Sequence, residues 1–306
     1  MTGSLGGDTP AVARERVRSG LRRARRNTEL TQSDVARRLR WSLSKVQRIE
    51  TGEVAVSETD IRALLQLYGI TAASTVAAYA ADANLARRER WTTPPEYRKY
   101  LTPGLRRLLQ FEVVATRVRS YQSLLLPGVL QTPALAEYII EQAGAQLTAE
   151  ERRVRLDVRL RRRRDIIERP DGPRYYLVID ESVLLRTVGD DLLMAEQLED
   201  LAKVAAHPHI FLRIVPLDES EGAIIGTFGN FQLMSLSDED ADDTVLYRER
   251  HTSDRIDHDV DEIRSYRDAF ESLWMLSLPE DASLRLISYA ALGRRVRLDR
   301  RPVKGQ

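Results

Sequence analysis

Cysteine is absent from the chain, and that absence excludes disulfides, thiolate nucleophiles and every zinc site built on thiolates, zinc fingers included. Only four histidines remain to support a metal site. No apolar run approaches the roughly eighteen residues that cross a bilayer, and the opening MTGSLGGDTPA has neither the basic nor the apolar stretch of a secretory signal. The expected location is the cytoplasm, with no membrane partner. Neither a Gly-x-Ser-x-Gly elbow nor a phosphate-binding loop occurs, and no histidine is supported by an acid and a nucleophile. Catalysis has no candidate residue, no cofactor is implied, and an enzyme is not expected. What the chain does have is an ordinary globular balance, 42% hydrophobic and 30% charged over 306 residues, enough for two domains.

The net charge of +1 conceals a division. Residues 1–91 hold 16 Lys+Arg against 10 Asp+Glu, leaving 31 against 36 for the remainder. A basic amino-terminal module joined to a mildly acidic larger one suits a phosphate-binding head on a sensing or interacting body.

Within the basic part, three successive helix starts share one local chemistry. Each opens on a hydroxyl residue able to cap free backbone N–H groups, namely Thr31, Ser42 and Ser57. Each cap is preceded by an apolar residue that pairs with one at the fourth helical position, in Leu30/Val35, Trp41/Val46 and Val56/Ile61. The periodicity predicts helices over 12–26, 31–39, 43–51 and 58–68, with a continuation over 72–88, after a disordered leader over 1–11. Gly52 and Gly69 stand where left-handed caps belong. With Val46 and Ile49 inward, Leu43, Ser44, Lys45, Gln47 and Arg48 point away from the core, where they can meet a major groove. Arg48 carries the donor fork that suits guanine, and Gln32, in the first turn of the second helix, is placed for a phosphate. The plainer alternative is a helical bundle with solvated basic faces.

The stretch LTQSDVARRLRWSLSKVQRIETG, residues 30–52, resembles the phage-repressor-like (XRE) helix-turn-helix family. By position, the resemblance implies that Gln32 and Lys45 contact the DNA backbone, that Leu43, Ser44, Gln47 and Arg48 face bases, and that Glu50 is structural. The chain departs from the family at Arg40, in the turn where glycine is common.

Past Trp91, the Pro-rich TTPPEYRKYLTPG reads as a connector, so the helix-turn-helix domain is assigned to 12–91 and a second domain to 92–306. Helices are expected over 105–121, 133–142, 148–168, 190–206, 256–274 and 282–292, and β-rich runs over 175–179, 210–215, 230–236 and 244–247. The fold class is thus an all-α domain of five helices followed by an α/β (α+β) domain with a small sheet. Phe111-Glu112, the turn Leu126-Pro127-Gly128-Val129-Leu130-Gln131-Thr132, Asp180-Glu181 and Gln197-Leu198 resemble the domain that follows the helix-turn-helix in WhiJ-like regulators of actinobacteria. The resemblance implies a transcriptional regulator, often encoded beside a small partner protein in toxin–antitoxin-like arrangements. Where that family often has Arg-Gln, Arg162 is followed by Arg163.

Sharper readings compete with plainer ones elsewhere. Arg161 to Arg164 read either as a second nucleic-acid surface or acidic-partner dock, or as a solvated helix face balanced by Asp157, Asp165 and Glu168. The acidic run 237–243 could chelate a hard cation, but an acidic loop between strands needs no such role. His251, His258, Asp259 and Glu262 are a weak metal set, since acids at a helix start are favourable in any case. His207 and His209 read as a turn, and Gly222, Gly226 and Gly229 as hairpin-shaping residues without dinucleotide-loop spacing. The expected function is a homodimeric DNA-binding regulator on a double-stranded operator. The alternative is an antitoxin-like protein that holds a small partner and regulates its own operon.

Overall fold

The computed structural model describes residues 10–50, 54, 56–87, 95–143, 147–170, 172–236, 243–249 and 254–299. The amino-terminal module comprises α1 (Pro10–Asn27), α2 (Gln32–Leu39), α3 (Leu43–Glu50), α4 (Glu58–Leu67) and α5 (Ala73–Ala86). All three caps form as read. Thr31 accepts from the Asp34 N–H at 3.1 Å and completes a capping box, Ser42 accepts from Lys45 at 3.1 Å, and Ser57 from Asp60 at 3.0 Å. The staple residues meet in one core with Leu21, Leu64 and Leu65. Gly69 takes the expected left-handed conformation, at φ 74°; Gly52 lies outside the described residues, as does the expected domain boundary at residue 91. The first helix begins at Pro10, two residues before its expected start and inside the span read as a disordered leader.

The α2–α3 turn is closed by Arg40 at φ 57°, ψ 40°, with its N–H bonded back to Arg37. A side chain in that region costs about 1 kcal/mol, partly offset because glycine has more freedom to lose on folding. Arg40→Gly is therefore expected to stabilise the module by up to about 1 kcal/mol, read as a higher urea midpoint. A lower midpoint would mean that the arginine side chain holds the turn.

Two short helices, α6 (Pro95–Tyr100) and α7 (Pro103–Glu112), lead into the second domain. Its remaining elements are β1 (Arg117–Gln122), α8 (Pro133–Ala143), α9 (Ala149–Arg163), β2 (Arg174–Asp180), α10 (Ser182–Leu185), α11 (Asp191–Val204), β3 (Ile210–Val215), α12 (Ser220–Ile225), β4 (Phe231–Ser235), β5 (Thr244–Glu249), β6 (Asp254–Asp257), α13 (Val260–Leu276) and α14 (Glu280–Asp299). Among the described residues the strands form one sheet in the order β3-β2-β1-β4-β5-β6, parallel on the β3-β2-β1 side and antiparallel beyond. Leu177, Ile179, Leu212 and Met234 face one apolar core with Leu198 and Leu201 of α11 and Ile287 of α14. Val178, Val215, Leu233 and Leu246 face the other, with Phe270 and Leu273 of α13. Two helical layers thus enclose the sheet, as the chain's alternation of strands and helices requires.

The sheet is larger than expected. The helix expected over 105–121 stops at Glu112, and Arg117–Gln122 is a strand. Its alternation was hidden because two inward positions are polar, Ser120 and Gln122, which bond each other at 3.1 Å inside the protein. β6 was also missed, being four residues long with Ile256 its one apolar residue. The last helix runs past Leu292 to Asp299, since Arg294 is buried and anchored on Asp191 at 3.2 Å and on the Leu184 and Arg186 carbonyls. Gly222 and Gly226 belong to α12 and a following single 3-10 turn, so they shape no hairpin.

The two domains pack against each other through α1. Glu15 and Arg18 of α1 are 2% and 1% exposed. They pair with each other, and His258 of the second domain reaches Glu15 with Nδ1 2.9 Å from Oε2. Arg18 also donates to the His258 carbonyl at 3.3 Å, and the Ala11 N–H donates to Gln110 of α7 at 3.0 Å.

Candidate nucleic-acid interface

Helix α3 is only eight residues long, too short to persist alone, so its outward face is set by what holds its inward one. Val46 and Ile49 are 1% and 3% exposed and sit in the module's core. Ser42 caps the amino end, and Glu50, the last helical residue, is buried and clamped by the Arg25 fork at 2.6 and 2.9 Å. Held at both ends, the helix presents Leu43, Ser44, Gln47 and Arg48 to solvent. Leu43, at 42% exposed, is an apolar group suited to a thymine methyl, whereas Ser44, Gln47 and Arg48 bring hydrogen-bonding groups suited to base edges.

The other two expected contacts are more engaged. Gln32 donates its side-chain amide to Glu50 at 2.9 Å. That bond fixes the glutamine at the amino end of α2 and leaves its second N–H for a phosphate. Lys45 is half-buried, with Nζ 2.8 Å from Asp60 Oδ1 and 3.7 Å above the Trp41 ring. Its ammonium ties α3 to α4, so any approach to a DNA backbone competes with an existing ion pair. Sequence reasoning missed Asp60 and Arg25 as partners, because a pair fifteen or twenty-five positions apart has no periodic signature.

Electrostatics reinforce the frame. The hydrogen bonds that Arg25 donates to Glu50, against some burial, raise its guanidinium above the ordinary value. At the start of α2, hydrogen bonds from the Thr31 hydroxyl and backbone lower the Asp34 carboxyl, and a negative group there suits the positive helix end. Exposed Arg37, Arg38 and Arg40 lie at the end of α2 and in the turn leading to α3, a cationic rim suited to phosphates.

The remaining candidates resolve differently. Of the four consecutive arginines, Arg162 is bound to buried Glu112 by two hydrogen bonds of 2.8 and 2.7 Å. Arg163 grips Asp200 at 2.8 and 3.0 Å, and Arg161 lies 3.4 Å from Asp165. Only Arg164 is exposed, so the cluster is neither a free cationic surface nor a fully solvated face. Arg162 and Arg163 are internal braces, whereas Arg161, partly buried, and Arg164 remain at the surface. Asp259 caps α13 by accepting from Asp261 and Glu262, each at 3.0 Å. His209 contacts the Ile167 carbonyl at 3.0 Å and stands edge-on to His207. No group of three His, Cys, Asp or Glu residues able to hold a metal occurs among the described residues. His251 and most of the acidic run 237–243 lie outside them. Nor is any described helix long and apolar enough to cross a membrane.

Two family models match the chain. A helix-turn-helix domain matches residues 19–78, spanning the second half of α1 through α5 as far as residue 78. A domain of unknown function, DUF5753, matches residues 105–289, more than half of the chain. No curated protein and no solved structure matches.

Proposed function

Because the chain belongs to the DUF5753 family and carries a helix-turn-helix domain ahead of that region, we propose that it is a sequence-specific, DNA-binding transcriptional regulator that acts by binding alone, with no chemistry. One observation carries the reading: a capped, clamped α3 whose outward face holds Leu43, Ser44, Gln47 and Arg48 opposite a buried face. That helix enters the major groove. Gln32 and the arginines of the α2–α3 turn rest on phosphates, and Lys45 joins them if it exchanges Asp60 for the backbone. The likeness of residues 30–52 to XRE regulators supports these roles. A homodimer on a pseudo-palindromic or repeated operator doubles the few base pairs that one helix can read.

Arg48→Ala is expected to erode discrimination between operators, costing about 1–3 kcal/mol at one base position. Binding titrations against single-base operator variants check this; uniform weakening across all sequences would make Arg48 a phosphate contact instead. If roughly six phosphates are neutralised, log affinity falls with log salt at a slope of about −5. A slope near zero would remove the phosphate-bound arrangement.

The DUF5753 region is proposed to receive a partner protein or effector, as its resemblance to WhiJ-like regulators suggests. An antitoxin-like variant of the reading, in which holding a small partner is the main task and operator binding is autoregulation, is favoured by the exposed leucines of the second domain. Purification from the native host with mass analysis separates the two; the absence of a stoichiometric partner counts against the antitoxin-like role.

A further inference from the structure

We propose that the carboxyl-terminal end of the parallel strands is a docking surface for a polypeptide segment carrying apolar side chains flanked by lysine or arginine. This rests on the partner-binding reading above and gives that partner a place and a chemistry.

The sheet order places the surface. Strands β1, β2 and β3 are parallel, so their carboxyl ends lie in a row, with neighbours about 4.8 Å apart. β4 pairs with β1, not with β3, so residues 216–230 must pass from the end of β3 across the ends of β2 and β1 before pairing begins. Hydrogen bonds lock the loops in that row. The Leu217 N–H donates to Glu181 at 3.0 Å, the Ser182 hydroxyl to the Ser123 carbonyl at 3.2 Å, and the Ser123 N–H to Asn230 at 3.0 Å. From below, Gly222 packs on Val215 and Gly226 on the Tyr121 hydroxyl so closely that an added methyl group would meet them at 2.6 and 2.7 Å.

Two properties of this braced ledge call for a partner. First, its outward apolar side chains are large: Leu124 is 55% exposed, Leu217 55%, Ile224 71% and Phe228 39%. Single exposed leucines are ordinary, but several along one row mark an interaction site. Second, the ledge is acidic without compensation. Residues 121–127, 180–185 and 216–230 contain Asp180, Glu181, Asp218, Glu219 and Glu221 and not one lysine or arginine. Among the described residues none of these five carboxylates forms an ion pair, and the side-chain bonds that three of them make go to backbone N–H groups. In a chain where 47 basic residues face 46 acidic ones, and where buried Glu50, Glu112 and Asp191 are each answered by an arginine, an unanswered acidic rim around leucines selects a basic, apolar occupant. An amphipathic helix with leucines on one face and lysines at its borders has that chemistry.

The test uses the full-length protein and a fluorescein-labelled leucine–lysine amphipathic peptide of about eighteen residues, with a glutamate-for-lysine version as the charge control. Anisotropy is expected to rise with the lysine peptide and to stay flat with the glutamate one. Leu217→Lys combined with Ile224→Lys is expected to weaken binding at least about tenfold. Met275→Lys and Tyr289→Lys, at exposed apolar positions elsewhere, are expected to leave it unchanged. Since all four positions are on the surface, a thermal melt of each variant should match that of the parent protein. Equal weakening by the control substitutions, binding of the glutamate peptide, or no binding at all overturns the proposal. It is also overturned if light scattering shows that the Leu217/Ile224 variant turns a dimer into a monomer, which would make the ledge a self-interface. Each of these failures leaves operator binding by α3 intact. If a native stoichiometric partner still co-purifies with the Leu217/Ile224 variant, the partner-binding reading survives and only this surface falls.

Discussion

Replacing Glu15 with glutamine is expected to loosen the junction between the two domains and to cost about 3–5 kcal/mol, the usual consequence of leaving one member of a buried ion pair without its partner. Arg18 is 1% exposed, so its charge has no water to turn to once the carboxylate is gone. The effect has a pH signature. Burial pushes the Glu15 carboxyl up, but the charges of His258 and Arg18, with hydrogen bonds from both, hold it at about 2 rather than the ordinary 4.5. A carboxyl held down in the folded state contributes stability that is fully present above 4.5 and is lost as pH falls from there towards 2. The urea midpoints of parent and Glu15→Gln proteins should therefore lie far apart at pH 7 and draw together as pH falls from 4.5 towards 2. A constant gap across that range would show that the variant acts through packing and not through charge.

Glu50→Ala is expected to be the most damaging single change in the helix-turn-helix domain. Glu50 is 3% exposed and collects Arg25 from α1 and Gln32 from α2 at the carboxyl end of α3. Its removal strands the Arg25 guanidinium, at about 3–5 kcal/mol, and frees both the end of the reading helix and the glutamine assigned to a phosphate. Operator binding and module stability should fall together, as measured by titration and by circular dichroism melts. Glu50→Gln, which keeps one acceptor, should lose less. The pair Arg25→Ala and Glu50→Ala should be strongly non-additive, because the second change removes a group that the first has already orphaned. A Glu50→Ala protein that melts with the parent would remove the clamp from this account and with it the reason α3 is held rigid.

Legibility followed the range of the interactions. Thr31, Ser42 and Ser57 act on N–H groups three positions away, and the staple pairs close within one and a half turns. The helix-turn-helix therefore stood in the sequence almost complete, although the left-handed conformation of Arg40 is a finding of the structure. Leu43, Ser44, Gln47 and Arg48 followed from the same periodicity, since burying Val46 and Ile49 turns the other face outward.

What the sequence by itself determined, then, is the local frame: helix starts, most strand runs, the basic and acidic halves, and the outward face of α3. Only the tertiary structure decided which charges are internal. Arg18, Arg162 and Arg294 carry the same residue type as Arg37 and Arg38, yet the first three are braced on Glu15, Glu112 and Asp191, and the last two lie at the surface. Arg162 and Arg294 are balanced by carboxylates fifty and about a hundred positions away, and the local Glu15–Arg18 pair is buried by His258 of the second domain, so none of the three burials leaves a trace in local spacing. The same reason governs the sheet. β1 has polar inward residues that make sense only beside β2 and β4, and the ledge at its carboxyl end exists only because β4 returns to β1 and not to β3.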